Sequence, residues 1–225
     1  RDTVIRSIKY LIKYPNHSDS DPVPLVLFLH GSSARGDNFD NVTPFALPKL
    51  LVQNRDVSNL NMCAVIPLCP KGIEWKDPIL CLLLMALVND VSASVSNIDT
   101  ARIYCTGISM GGLGTWMLAA RNPTRFAALA PICGGGAPVY ARLLAHIPIH
   151  FFHSIEDNVV GVEETNRLVA ALRTENASEV LYTRYTHSPD PSAKQWMVGH
   201  NCWDKAYSDM TFWQWLFSKS LVTTS

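Results

Sequence analysis

Residues 107–111 read Gly-Ile-Ser-Met-Gly, which places one serine between two glycines. This spacing matches G-x-S-x-G, a sharp turn from a strand into a helix that holds a serine hydroxyl at the top of a parallel sheet. Glycine suits the flanking positions because the serine backbone is strained and its neighbours pass too close for a Cβ atom. The pattern predicts Ser109 as the nucleophile of an acyl-transfer reaction.

A serine hydroxyl becomes a useful nucleophile only with a base within hydrogen-bond reach and a third group that orients the base. On this kind of turn, the partners follow the serine in the order acid, then histidine. Asp157 follows the apolar run 148–152, and His200 lies in the loop before the last helical pattern, so we predict these two partners. The alternatives in the same part of the chain are Glu156, Asp190 and His187.

The tetrahedral intermediate of acyl transfer also needs two preorganised donors for its negatively charged oxygen. The backbone amide of Met110 directly follows the nucleophile and is the first expected donor. The sequence Leu-His-Gly-Ser at 29–32 ends an early apolar run in a small turn, and we predict the amide of Ser32 as the second donor. Because amides act here, replacing either side chain should cost less activity than replacing Ser109.

The elements that must hold these residues alternate between apolar runs and helical patterns. Apolar runs typical of buried strands occupy 25–29, 62–67, 102–105, 126–133 and 148–152, and looser alternation predicts strands at 5–14 and 180–186. Helical signals occupy 78–92, 162–172, 204–219 and the segment after Ser109, with a broken helix over 38–54. Strands that alternate with helices predict an α/β fold with a mostly parallel sheet and helices on both faces.

Length and charge narrow the class of function. A chain of 225 residues can form one substantial core, so we expect a single domain over 1–225. Nineteen basic and nineteen acidic residues cancel, which argues against nucleic acid as a partner. The longest apolar run, 79–88, has about half of the roughly 20 residues that a membrane span needs, so we expect no such span.

The six cysteines lie mostly in or beside apolar runs, where cysteine usually serves as a small buried hydrophobic residue. The sequence has no Cys-x-x-Cys pair and no zinc-like spacing of cysteine and histidine, so we predict neither a metal nor a cofactor. Such cysteines slightly favour a cytoplasmic location over secretion. The sequence leaves the compartment and the oligomeric state open.

Five segments resemble the α/β-hydrolase superfamily and, within it, compact esterases of the phospholipase/carboxylesterase-like group, which includes predicted peptidases and feruloyl-esterase-like proteins. In chain order the segments are LFLHGSSARGDN, CPKGIEW, IDTARIYCTGISMGGLGTWMLAARNPTRFAALAPICGGG, FHSIEDNVVGVEET and GHNCWDKAY. The resemblance implies an α/β-hydrolase fold and a triad of Ser109, Asp157 and His200. It also places the oxyanion loop at 30–32. No long insertion that would build a lid domain is present.

The sequence departs from this family at two positions where many members have glycine, Ser154 in the acid loop and Ser33 in the oxyanion loop. A serine at position 33 narrows the space near the acyl group, which argues against large acyl groups. By their positions we expect four residues to contact the substrate, namely Trp75, Trp203, Trp196 and Arg35.

Together these patterns predict a serine hydrolase that cleaves small carboxylic esters through an acyl-enzyme on Ser109. The same triad also serves acyltransferases and peptidases, which differ in the nucleophile that resolves the acyl-enzyme or in the leaving group. A binding protein that has this fold without turnover is the alternative from another class of function.

Overall fold

The structure, a computed structural model, describes residues 7–16, 21–53, 56–186 and 199–221. Its seven strands form one sheet in the order β1-β3-β2-β4-β5-β6-β7. The strands are β1 (Lys9–Lys13), β2 (Val23–Leu29), β3 (Cys63–Leu68), β4 (Ile98–Ile108), β5 (Ala128–Ile132), β6 (Ile149–Ser154) and β7 (Val180–Tyr185). At one edge β1 runs antiparallel to β3, and the other neighbouring pairs are parallel. The predicted mostly parallel sheet is confirmed.

The central strands are apolar on both faces because helices cover both faces of the sheet. In β2, Leu25 and Leu27 belong to the core on one face, while Val26 and Phe28 belong to the core on the other. All seven residues of β2 are buried. This explains why the run lacks the alternation of apolar and polar residues that a half-exposed strand shows.

The helices divide between the two faces of the sheet. They are α1 (Ala46–Val52), α2 (Pro78–Ser94), α3 (Met110–Arg121), α4 (Ala141–Leu144), α5 (Glu163–Thr174), α6 (Trp203–Ser208) and α7 (Met210–Phe217). Helices α2 to α5 contribute buried residues to one core, and α1, α6 and α7 contribute to the other. The described residues include no large lid domain. None of the described helices is long and apolar enough to cross a membrane.

Helix α2 begins where the sequence predicts. Asp77 precedes Pro78, and its carboxylate accepts hydrogen bonds from the amides of Ile79 (2.9 Å) and Leu80 (3.1 Å). Proline at the first helical position costs no backbone hydrogen bond, because an N–H there would have no intrahelical acceptor. This start fixes α2 directly after the segment that includes Trp75.

The predicted single helix over 204–219 is wrong, because the segment forms two helices. The chain leaves helical geometry at Asp209, whose φ and ψ are −82° and 110°, and the Asp209 carboxylate caps α7 by accepting from the amide of Thr211 (2.9 Å). The predicted strand over 5–14 is shorter, since β1 spans only Lys9–Lys13 of the residues described there. The broken helix over 38–54 becomes a 3-10 turn at Phe39–Asn41 followed by α1.

Candidate active site

Ser109 lies on a strained turn between β4 and α3, with φ and ψ of 55° and −118°. Its amide donates to the carbonyl of Ile132 in the neighbouring β5 (2.9 Å), which holds the turn against the sheet. A Cβ on Gly107 would overlap the backbone of Gly111, and a Cβ on Gly111 would overlap the carbonyl of Leu29. Both glycines are therefore required by close backbone approach, as the sequence pattern predicts.

Three side chains from three separate loops meet in a chain of hydrogen bonds. His200 Nε2 lies 2.9 Å from Ser109 Oγ, and His200 Nδ1 lies 2.7 Å from Asp157 Oδ2. Since the carboxylate can only accept, Nδ1 carries the proton, which leaves Nε2 free to accept from the serine hydroxyl. This is the arrangement in which a histidine can take a proton from a serine during attack on a carbonyl group.

Asp157 is buried and heavily hydrogen-bonded. Its Oδ1 accepts from the amides of Val159 and Val160, both at 2.9 Å. Burial alone would raise the pKa of Asp157, but hydrogen bonds from His153 and His200 and from the Val159 amide outweigh burial and hold this pKa well below its usual range. Asp157 is therefore a carboxylate at any ordinary pH.

Of the alternative partners for Ser109, the structure describes Glu156 alone. Glu156 is exposed to solvent, whereas the neighbouring Asp157 is buried. His187 and Asp190 lie outside the described residues. The geometry thus brings together the three residues that strand order selects.

The loop that carries His200 packs directly on the loop that carries Asp157. Gly199 has a φ of 81°, which disfavours residues with a side chain. A Cβ at Gly199 would also overlap the carbonyl of Glu156. The glycine thus permits the close approach that sets His200, one residue later, beside the carboxylate.

The loop after β2 lies against the nucleophile. A Cβ built on Gly31 would stand 3.7 Å from Ser109 Cβ, in ordinary contact. Ser32 begins a 3-10 turn, and Met110 is the first residue of α3, where a backbone amide lacks an intrahelical acceptor. We predict that the amides of Ser32 and Met110 bind an oxyanion. These amides belong to two different segments, and both segments lie next to Ser109.

Hydrogen bonds from side chains fix the predicted oxyanion loop, residues 30–32, to the chain after β3. His30 Nδ1 lies 2.7 Å from the carbonyl of Gly31, and His30 Nε2 accepts from the amide of Cys69 (3.0 Å). The indole N–H of Trp75 donates to the carbonyl of His30 (2.8 Å). Burial chiefly lowers the pKa of His30 to about 4, so the ring is neutral at pH 7 and keeps an acceptor for Cys69.

A small apolar cleft opens beside Ser109. It encloses about 80 Å³ and has apolar walls formed by Phe28, Val42, Phe45, Ile108, Val159 and Trp203. Trp203 stands perpendicular to His200, with ring centroids 5.3 Å apart. The buried indole N–H of Trp203 meets no acceptor among the residues that the structure describes. The cleft thus offers an apolar surface next to the reacting hydroxyl.

The predicted substrate contacts have different positions. Trp203 lines the cleft. Trp75 does not, because it is fully buried in the core and supports the carbonyl of His30 instead. Arg35 also lies away from the cleft lining, and its guanidinium donates to the carbonyls of Ser32 (3.1 Å) and Ile73 (3.2 Å). Trp196 lies outside the described residues.

Several cleft residues were missed by the sequence reasoning. Phe28 immediately precedes the end of β2, and Val159 lies two residues after Asp157. Both are close in sequence to predicted site residues, and this closeness could have indicated them. Val42 and Phe45 lie within the predicted broken helix over 38–54, between the 3-10 turn at Phe39–Asn41 and α1. Their place in the cleft depends on how that stretch folds over β2.

Comparisons with known proteins agree with this architecture. The model of the dienelactone hydrolase family matches residues 81–189, a segment that includes Ser109 and Asp157. A thermostable esterase of known structure is 30% identical to the chain, with a TM-score of 0.76, and the match covers 95% of this chain and 59% of that one. A phospholipase/carboxylesterase from Dyadobacter fermentans is 20% identical, with a TM-score of 0.54, over 81% of this chain and 89% of that one.

Among curated proteins, a bifunctional acetylxylan esterase/xylanase of Neocallimastix patriciarum is 26% identical over 106 residues, which cover 46% of this chain and 16% of that protein. The chain thus spans a small part of this relative and less than two thirds of the thermostable esterase. The sheet order, the strained serine turn and these matches together show that the chain has the α/β-hydrolase fold of these esterases.

Proposed function

We propose that this protein is a serine hydrolase of carboxylic esters with short acyl groups. The observation that carries the proposal is the hydrogen-bond chain from Ser109 Oγ through His200 to Asp157, at 2.9 Å and 2.7 Å, on a strained turn beside an apolar cleft. The names of the two esterases among its relatives support the same reaction class.

In the first half of the reaction, Ser109 Oγ attacks the ester carbonyl carbon while its proton passes to His200 Nε2. Asp157 stabilises the resulting imidazolium through the Nδ1–H bond. The negative charge on the carbonyl oxygen is received by the amides of Ser32 and Met110. His200 then gives its proton to the departing alcohol, and the acyl group remains on Ser109.

In the second half, a water molecule takes the place of the alcohol. His200 removes a proton from this water as its oxygen attacks the acyl carbon, and the same two amides hold the new oxyanion. The proton then returns to Ser109 Oγ, which leaves as the carboxylic acid is released. Each half uses the same side chains, so one geometry serves both.

The size and lining of the cleft favour a short, apolar acyl group. Its volume of about 80 Å³ is far below the roughly 300–1,000 Å³ of pockets that enclose drug-sized ligands. Phe45 and Val159 are partly exposed at their positions in the cleft lining, so this apolar surface reaches solvent. An acetyl group therefore fits this description better than a long-chain acyl group.

Ester turnover tests the proposal. We expect wild-type protein to hydrolyse p-nitrophenyl acetate with a kcat/KM at least about tenfold above that for p-nitrophenyl octanoate, since the longer chain exceeds the cleft. Ser109→Ala should lower kcat for the acetate by about 10⁴-fold, because it removes the nucleophile. Ser94→Ala, an exposed position at the end of α2, is the matched control and should keep wild-type rates.

Two results would contradict the proposal. Turnover by Ser109→Ala at the wild-type rate would exclude Ser109 as the nucleophile. Folded wild-type protein that hydrolyses neither ester would favour a binding protein with this fold.

A further inference from the structure

A second histidine contacts the carboxylate of Asp157. His153 is fully buried near the end of β6, and its Nε2 lies 3.1 Å from Asp157 Oδ2 and 2.8 Å from the carbonyl of Val160. His200 Nδ1 lies 2.7 Å from the same Oδ2. One carboxylate oxygen is therefore shared by two imidazole rings.

The protonation of His153 Nε2 follows from its neighbours. A carboxylate and a carbonyl oxygen can only accept, so the nitrogen between them must carry a proton. His153 Nδ1 lies 2.8 Å from the hydroxyl of Thr165, and this hydroxyl is 3.0 Å from the carbonyl of Gly134. If this hydroxyl donates to Nδ1, His153 is neutral. If it donates to the carbonyl of Gly134 instead, Nδ1 must donate to the hydroxyl oxygen, and His153 is cationic. An N–H directed at Asp157 is present in both cases.

We propose that His153 is a positioning residue that holds Asp157 in the orientation His200 needs, and that Thr165 anchors the His153 ring. This inference rests on the proposed esterase function and extends it. Oδ1 of Asp157 is already held by two amides, so the N–H of His153 completes the restraint on Oδ2. The carboxylate is then unable to rotate away from His200.

His153 also shares the charge of the carboxylate. While Oδ2 accepts from both rings, less of its negative charge is available to stabilise the imidazolium of His200. Removing the N–H of His153 should therefore leave more of this charge facing the imidazolium of His200 and move the acidic limb of the kcat/KM profile to higher pH. A residue with only a packing role would not produce this shift.

A further ionisable group close to the carboxylate is the thiol of Cys133, the residue after β5. Cys133 Sγ lies within 4.8 Å of the nearest ligand atoms of Asp157 and His200. Burial, together with the neighbouring Cys202 and Asp157, raises the pKa of Cys133 well above its ordinary value, so it stays a neutral thiol. Among the described groups close to Asp157, the two histidines are thus the ones whose protons bear on its charge.

Two variants separate the N–H from the bulk of the ring. His153→Leu removes the donor and keeps an apolar side chain, while His153→Gln keeps an N–H near the position of Nε2. For p-nitrophenyl acetate we expect His153→Leu to lower kcat about 10- to 100-fold, with KM within about twofold, because the carboxylate loses its fixed orientation. The acidic limb of its kcat/KM profile should move to higher pH, and His153→Gln should recover most of both losses.

His146→Gln is the matched control, because His146 lies before β6 and contacts only the carbonyl of Pro123 among its described hydrogen bonds. It should match wild type in rate and pH profile. Wild-type kinetics and an unmoved acidic limb in folded His153→Leu would overturn the inference. Failure of wild-type protein to turn over any ester would instead overturn the proposed function, so the two failures are distinguishable.

A measurement on wild-type protein tests the same inference without depending on whether the variants fold. In wild-type protein with ¹⁵N-labelled histidine, the Nε2 of His153 should show the chemical shift of a protonated nitrogen throughout pH 5 to 9, the interval around the ordinary histidine pKa of about 6.5. An unprotonated Nε2 anywhere in that range would overturn the inference, because no N–H would then reach Asp157.

Discussion

Four described histidines of this protein face different groups, and these groups set the role of each ring. His153 and His200 share a carboxylate, whereas His30 accepts a hydrogen bond from a backbone amide and is neutral. His150 stacks on Phe152 at 4.0 Å between ring centroids, away from any carboxylate within hydrogen-bond distance among its described contacts. The same residue type thus acts as a candidate base, a support for the acid and a neutral packing group.

His150 makes stability depend on pH. Burial chiefly lowers its pKa to about 4, against smaller opposing effects of Asp209 and Glu179. In the unfolded chain this pKa is about 6.5, so between pH 6.5 and 4 the unfolded state binds more protons and stability falls as pH falls. His30 acts in the same direction and over the same interval.

We therefore expect the free energy of unfolding by urea to fall from pH 7.5 to pH 4.5, with about 2 kcal/mol of the loss due to His150. His150→Phe, which suits the aromatic surroundings, should lose less stability over this interval. His146→Gln, on the surface, should lose as much as wild type. An equal loss in wild type and His150→Phe would show that His150 titrates as an exposed histidine does.

At the scale of elements, the oxyanion loop is held in place by contacts outside the loop itself. Trp75 lies in the loop before α2, and its side chain packs against α3, where Gly114 leaves room for it: a Cβ on Gly114 would stand 2.5 Å from the Trp75 Cβ. The indole N–H then supports the carbonyl of His30. The oxyanion loop and the helix that begins with Met110 therefore pack against one tryptophan.

Trp75→Phe tests this support. The variant keeps an aromatic ring in the core and removes the donor to His30, so the loop should lose part of its fixed geometry. We expect kcat for p-nitrophenyl acetate to fall about tenfold with little change in KM, because the role we propose for the Ser32 amide is to bind the oxyanion of the transition state. Unchanged kcat in a folded variant would show that the remaining contacts of His30 and Arg35 suffice.

The sequence predicts the candidate site better than it predicts the elements around it. Ser109 and Asp157 could be selected because each follows the end of an apolar strand, and parallel strands bring such ends to one edge of the sheet. His200 could be selected because it lies in the loop before the last helical pattern. Trp75 was expected in the cleft because its burial depends on the packing of α3, which residue type does not reveal. The break at Asp209 was missed because aromatic residues continue on both sides of it and mask the end of the helical pattern.

On the scale of the whole molecule, the sheet order places the nucleophile near the middle. β4, which leads to Ser109, has three strands on each side, and β6, which leads to Asp157, lies two strands away. His200 comes from the loop before α6, and α6 and α7 pack on the face opposite α2 to α5. The site therefore combines two residues that follow central strands with a third residue that precedes the helices on one face of the sheet.

The central claim is that this assembly activates Ser109, and covalent labelling tests it most directly. After incubation with a fluorophosphonate, intact-mass spectrometry of wild-type protein should show a single adduct, formed when Ser109 Oγ displaces fluoride, and peptide mapping should place it on Ser109. Ser109→Ala should remain unlabelled. An adduct on Ser109→Ala, or none on folded wild-type protein, would contradict the claim.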